Sequence, residues 1–284
     1  MELFDKSKKE NEDTANPGSA LLENYPEMLT TRLLFVDKPN LDAEKILNEA
    51  KKYFVHVENP SKDHPLIFIF PDVQFKLVDA IIPAQCLVAI PDENHPDIQL
   101  PDVAFQQNWH WQEANDAATA CKYELLVTDL MTRTLEYKQR LDLYINFLVA
   151  VTKATNPNVV YSVYGQKLIN PIDLTQIWDK EEKQLLYGIC NVRLYNLTDV
   201  NELLMDTVGL NSIGLPDFQI RFKDYEADEI ANLLWNYAYY IYEQGDVIEN
   251  GNTLEGIVSG SRWKCERQVS LLDPERVVIN VQPN

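Results

Sequence analysis

Apolar positions recur along this chain with two periods, and the switches between them sketch a series of elements. "TRLLFVD" (31–37) holds a short continuous apolar run and predicts a strand. In "LDAEKILNEAKKYF" the residues Ala43, Ile46, Leu47, Ala50, Tyr53 and Phe54 fall at helical spacing, with Asn40 placed to cap the start. "LIFIF" (66–70) and "FKLVDAII" (75–82) flank Pro71-Asp72 and predict a hairpin, with a further strand at "LVAIP" (87–91). Prolines at 91, 96 and 101 mark Asp92 to Asp102 as a loop. A short helix is expected over "EANDAATAC", then a strand over "KYELLVTDL" (122–130). "TLEYKQRLDLYINFLVAVTKAT" (134–155) is the longest helical pattern, and its second half is apolar nearly all round, which predicts a central, buried helix ended by Asn156-Pro157-Asn158.

Strand patterns resume at "VVYSVY" (159–164), "YGICNVRLYNL" (187–197) and "DFQIRF" (217–222), with a short helix over "PIDLTQIWDKEEKQL" between the first two. "ADEIANLLWNYAYYIYEQG" (227–245) predicts a helix with Glu226, Asp228 and Glu229 at its positive end and Gly245 at its stop. Asn250-Gly251 is a hairpin signal, and "RWKCERQV" and "RVVINV" supply closing strands. The succession predicts an α+β fold of mixed or mainly antiparallel sheets covered by helices, compatible with two similar halves packed closely. The expected division is a flexible lead at 1–28, an N-terminal α+β domain at 29–185 and a C-terminal α+β domain at 186–284, the boundary falling between Thr155 and Asp199.

Charge changes this picture most. There are 25 Lys plus Arg against 44 Asp plus Glu, a net −19. No Lys or Arg falls between Lys76 and Lys122, or between Lys223 and Arg262. Such a field repels phosphate backbones and anionic membranes and favours a basic protein partner. Cys86, Cys121, Cys190 and Cys265 stand apart without a CxxC pair, so no zinc knuckle or dithiol is indicated. The N-terminus has no signal-peptide core, and "INFLVAV" is too short for a membrane span, so a cytoplasmic location is expected.

The common phosphate-binding, metalloprotease and nucleophile-elbow motifs are missing, and His56, His64, His95 and His110 are scattered. The sequence therefore assigns no catalytic residue, metal or cofactor and leans away from an enzyme. Two stretches stand out. In "NWHWQEAND", an extended backbone would send Trp109 and Trp111 to a core and His110 to the opposite face, near Glu113 and Asp116. These five residues are candidates for a small polar pocket with an aromatic wall, to which Arg262 or Arg267 would add a basic group. On the 227–245 helix, Trp235, Tyr239 and Tyr242 form a second apolar stripe beside the core stripe. A second stripe must meet a neighbouring domain, a loop or another chain. With Glu243 and Asp246 as a polar rim, it is a candidate partner-binding patch.

"MDTVGLNSIGLPDFQIRF" (205–222), taken with "LWNYAYYIYEQGDVIENGNTLEG", resembles an uncharacterised bacterial family, the domain of unknown function 4261, over roughly residues 187–267. The family brings no activity and no residue roles. The resemblance implies a bacterial, non-secreted setting. The expected function is a non-enzymatic protein that holds a basic protein partner, such as a toxin-neutralising immunity protein or an adaptor of a secretion or defence system, with a homo-oligomer open. The alternative expectation is a small-molecule-binding protein or hydrolase with a pocket near His110.

Overall fold

The chain begins its first sheet with β1 (Thr30–Phe35), an interior strand paired antiparallel to β4 (Tyr123–Leu130) on one side and β5 (Val159–Ser162) on the other. A computed structural model describes residues 25–61, 63, 65–76, 80–91, 98–178, 184–197 and 201–284. Most of the predicted lead, His64, His95, the acids Asp79, Asp92, Glu93 and Asp97, and the end of the helix expected over 171–185 lie outside the described residues. β2 (Leu66–Lys76), β3 (Ile81–Ala89) and β6 (Lys167–Ile169) complete a six-stranded sheet of order β2-β3-β4-β1-β5-β6. The second sheet, of order β10-β11-β12-β9-β8-β7, uses β7 (Asn191–Leu197), β8 (Glu202–Val208), β9 (Asp217–Phe222), β10 (Thr253–Glu255), β11 (Arg262–Val269) and β12 (Val277–Gln282). Among the described strands only the β12–β9 pair is parallel. The fold is α+β with two mostly antiparallel sheets.

Six α-helices accompany them among the described residues: α1 (Ala43–Ala50), α2 (Asp102–Gln106), α3 (Ala114–Thr119), α4 (Tyr137–Thr155), α5 (Pro171–Trp178) and α6 (Ala227–Gln244). None is long and apolar enough to cross a membrane. α1 starts later than its periodicity suggests, because Asp42 and not Asn40 accepts the Glu44 and Lys45 amides. Pro71 does not end its strand: β2 runs through it with a register shift between Phe70 and Gln74, which an edge strand tolerates. The hairpin is therefore β2–β3, and "LVAIP" is the end of β3, not a further strand. Asn250-Gly251 lies ahead of β10, while the β10–β11 turn is formed by 256–261.

α4 is enclosed from Leu143 to Thr152. Phe147 packs against Phe68 and Phe70 of the first half, with centroids 5.1 and 5.6 Å away. Ile145 meets Gly188, where a Cβ would stand 2.7 Å from its Cδ1. A helix apolar all round needs cover on every side, and α4 finds it from both halves, so one apolar cluster runs from Leu29 to Val281. Its C-terminus ends on Asn156 in the left-handed region. A smaller cluster under α2 and α3 covers the opposite face of the first sheet.

Candidate functional site

The two sheets present edge strands to each other, β6 and β7, and the segment Gln107–His110 occupies the gap. The Gln107 side-chain amide imitates a strand neighbour for Leu194: Nε2 donates to its carbonyl and Oε1 accepts from its N–H, both at 3.0 Å. Asn108 and His110 do the same for Leu168 of β6, Oδ1 accepting its N–H at 3.2 Å and the imidazole Nε2–H donating to its carbonyl at 2.9 Å. Trp109 Nε1–H donates to Val192 O at 3.2 Å, and Asn191 Nδ2 donates to Gln107 O at 3.3 Å. Buried edge groups are costly when unpaired. This segment pairs those of Leu168 and Leu194, and the Val192 carbonyl, with side chains.

The segment is a turn between α2 and α3, closed by Trp111 N–H to Asn108 O, and not the extended stretch its alternation suggested. The tryptophans accordingly part. Trp111 joins the smaller core cluster, while Trp109 stays 54% exposed and turns with His110 toward α6. Glu113 and Asp116 are exposed on the start of α3 and pair with neither His110 nor each other.

Between this turn, α6 and β7 opens a cleft of about 550 Å³. Trp109, Tyr187, Trp235 and Tyr239 are its aromatic lining, and the amides of Gln184, Asn191, Asn232 and Asn236 and the carboxylate of Asp228 add polar groups. The two stretches singled out in the sequence thus meet in one place. Of the pocket candidates, Trp109 and His110 contribute, and Trp111, Glu113 and Asp116 do not. Of the stripe, Trp235 and Tyr239 are half-buried in the cleft, whereas Tyr242 is buried against Tyr137, centroids 5.8 Å apart. The rim acids are engaged within the chain: Glu243 with Lys138 at 3.0 Å and Asp246 with Arg267 at 2.6 Å. The stripe thus meets the N-terminal half of its own chain. Arg267 is held by Asp246 and Ile248 O, and Arg262 lines a separate groove between α6 and β10, so neither reaches His110.

The basic group of the cleft is instead Lys167, absent from the sequence-based candidates. It is 2% exposed. Its Nζ lies 3.8 Å from the Tyr187 ring centroid and 5.6 Å from that of Trp235, and it donates a hydrogen bond to Tyr187 O at 3.3 Å. Among the described residues it has no ion-pair partner. Burial lowers its pKa from 10.5 to about 8. His110 is exposed overall, but desolvation of its ring where it packs on β6 and then the charge of Lys167 lower its pKa from 6.5 to about 4, which keeps the imidazole neutral at neutral pH. Burial also pushes the Tyr187 phenol up to about 12. The signal for Lys167 in the sequence was weak: a lone lysine in "SVYGQKLIN", inside a three-residue strand whose members are all buried.

Behind the cleft a second array holds the C-terminal half. Arg193 pairs with Asp206, and Arg276 with both Asp206 and Asp217, all about 1% exposed or less. Asp217 also accepts Thr207 Oγ1–H and the Leu210 N–H, fixing the turn that begins at Gly209. Gly209 has φ +125, and a Cβ there would stand 2.0 Å from Ile189 O.

Asp206, Asp217 and Arg276 all fall in one matched region. Residues 206–282 match the family described as Domain of unknown function (DUF4261). The match covers β9, α6 and the closing strands; it includes Trp235 and Tyr239 but neither Lys167 nor the Gln107–His110 turn. The cleft is therefore assembled by the matched region and the part of the chain preceding it. No curated protein and no solved structure matches the chain. Among the described residues no group of three or more His, Cys, Asp or Glu is placed to hold a metal ion.

Proposed function

We propose that this protein binds a small molecule with an acidic group on a flat apolar body, in the cleft between its two halves. One observation carries the reading: Lys167 is almost fully buried at an open cleft, with no ion-pair partner among the described residues. A buried ammonium without a counter-ion is expensive, and an arriving carboxylate or similar anion would supply one. Trp109, Tyr187, Trp235 and Tyr239 offer faces for a planar body, and the amides around them can fix its orientation. The net charge of −19 does not oppose this, because exposed charges are screened over about 8 Å at physiological salt whereas contact with Lys167 is local.

Trp109 and Trp235 make the cleft its own reporter. Titrating the full chain with benzoate, with benzamide as the uncharged control, should change tryptophan fluorescence saturably for benzoate. Lys167→Met should weaken the binding about tenfold to a hundredfold, the range of one charge-assisted hydrogen bond. A flat response to benzoate, or equal affinity in Lys167→Met, would remove the proposal.

A further inference from the structure

We propose that Lys167 is a carbonyl-capturing nucleophile, forming an imine with an aldehyde or ketone that enters the aromatic cleft. This rests on the cleft being a small-molecule site, and it adds carbonyl compounds as a substrate class that competes with an acid for the same Lys167 nitrogen.

Position comes first. Lys167 and Ile169 point to the same face of β6, toward α4 and the C-terminal half, while Leu168 points to the smaller cluster behind. Its register partner on β5 is Ser162, not an acid. The only hydrogen bond of the ammonium among the described residues is the long one to Tyr187 O, which leaves two of its three protons without a described acceptor. An ordinary buried lysine closes its hydrogen bonds on carboxylates or carbonyls. This one ends against aromatic faces at a cleft of about 550 Å³, ample for a ring-sized carbonyl compound.

Chemistry follows from position. With a pKa of about 8, roughly one Lys167 in ten is a free amine at pH 7, against roughly one exposed lysine in three thousand. The amine lone pair attacks the carbonyl carbon, a C–N bond forms, and the proton released from nitrogen goes to the carbonyl oxygen. The hydroxyl of that carbinolamine takes a second proton from solvent, its C–O bond breaks and water leaves, and the nitrogen lone pair closes the C=N bond while nitrogen keeps its remaining proton, giving a protonated imine. No oxidant, reductant or metal is needed. A protonated imine carries the same single charge as the ammonium and keeps the Tyr187 face as its neighbour. His110, neutral and tied through Nε2–H to Leu168 O, adds no competing positive charge.

The test is reductive trapping. The full-length protein is incubated with benzaldehyde and cyanoborohydride, digested, and mapped by mass spectrometry, so that the N-terminal amine and every lysine are scored separately. The expected result is a saturable adduct on Lys167 that forms at least tenfold faster than on any exposed lysine. Its rate should rise with pH and level off above about 8. Benzoate should suppress it, and Lys167→Arg, which keeps the charge but not the nucleophile, should lack it. Labelling of lysines in order of exposure, with Lys167 among the slowest, would overturn the proposal. If benzoate still binds in a Lys167-dependent way in that case, the small-molecule site survives and only the covalent step falls; if it does not, both fall.

Discussion

At the residue scale, Lys167 decides most. An ammonium at 2% exposure, held among the described residues by one long hydrogen bond and aromatic faces, is a stability liability at a cleft. The sign is set by its lowered pKa. Below pH 8 both folded and unfolded chains carry the proton, so the burial cost is fully present; it fades as pH rises from 8 to 10.5. Lys167→Met should therefore stabilise the fold at pH 7 by about 2 kcal/mol, after allowing for the lost cation–π contacts. Urea denaturation at pH 7 and pH 10 checks this, and a variant less stable than the parent at pH 7 would show that Lys167 is a structural residue. Little of this was legible beforehand. A lysine in a short strand gives no periodic signal of its orientation, because three residues cannot display a period of two against a background.

At the element scale, the notable device is a turn that serves as a strand to two sheets at once. Gln107 supplies both a donor and an acceptor to Leu194, and Asn108 with His110 supplies both to Leu168. Gln107→Ala would leave the N–H and carbonyl of Leu194 without these partners, at a cost of about 2 kcal/mol. Hydrogen exchange should show the Leu194 amide losing protection in this variant while Ile220, in the centre of the second sheet, keeps its own; unchanged protection at Leu194 would mean the clasp contributes nothing. The "WHW" alternation misled at this point because a period of two implies opposite faces only in an extended backbone. Two short helices so close on either side force a turn, and that sends Trp111 into a core and Trp109 into the cleft. By contrast α4 and α6 were readable, since nineteen and eighteen residues of consistent pattern outweigh any local ambiguity.

At the scale of the whole molecule, the two sheets do not carry separate cores. α4 is enclosed by both halves, Gly188 fits against Ile145, and Lys138 at the start of α4 donates to the carbonyl and carboxylate of Glu243 near the end of α6. Parting the halves would expose apolar surface on each. Thermal unfolding should thus be one transition, with tryptophan fluorescence and far-ultraviolet circular dichroism giving the same midpoint. Two separated midpoints would mean that the halves unfold independently.

The chain's own pattern determined its class, two long helices, most strands and the two stretches worth suspecting, because those follow from local periodicity and from side-chain type. It also showed that α6 has more apolar surface than one sheet can hide. Tertiary structure alone decided what that surface meets. Trp235 and Tyr239 face Trp109, His110 and Lys167, residues roughly seventy to a hundred and thirty positions away in the chain. Such a meeting depends on how two sheet edges approach, and no pattern confined to one segment encodes the distance between segments.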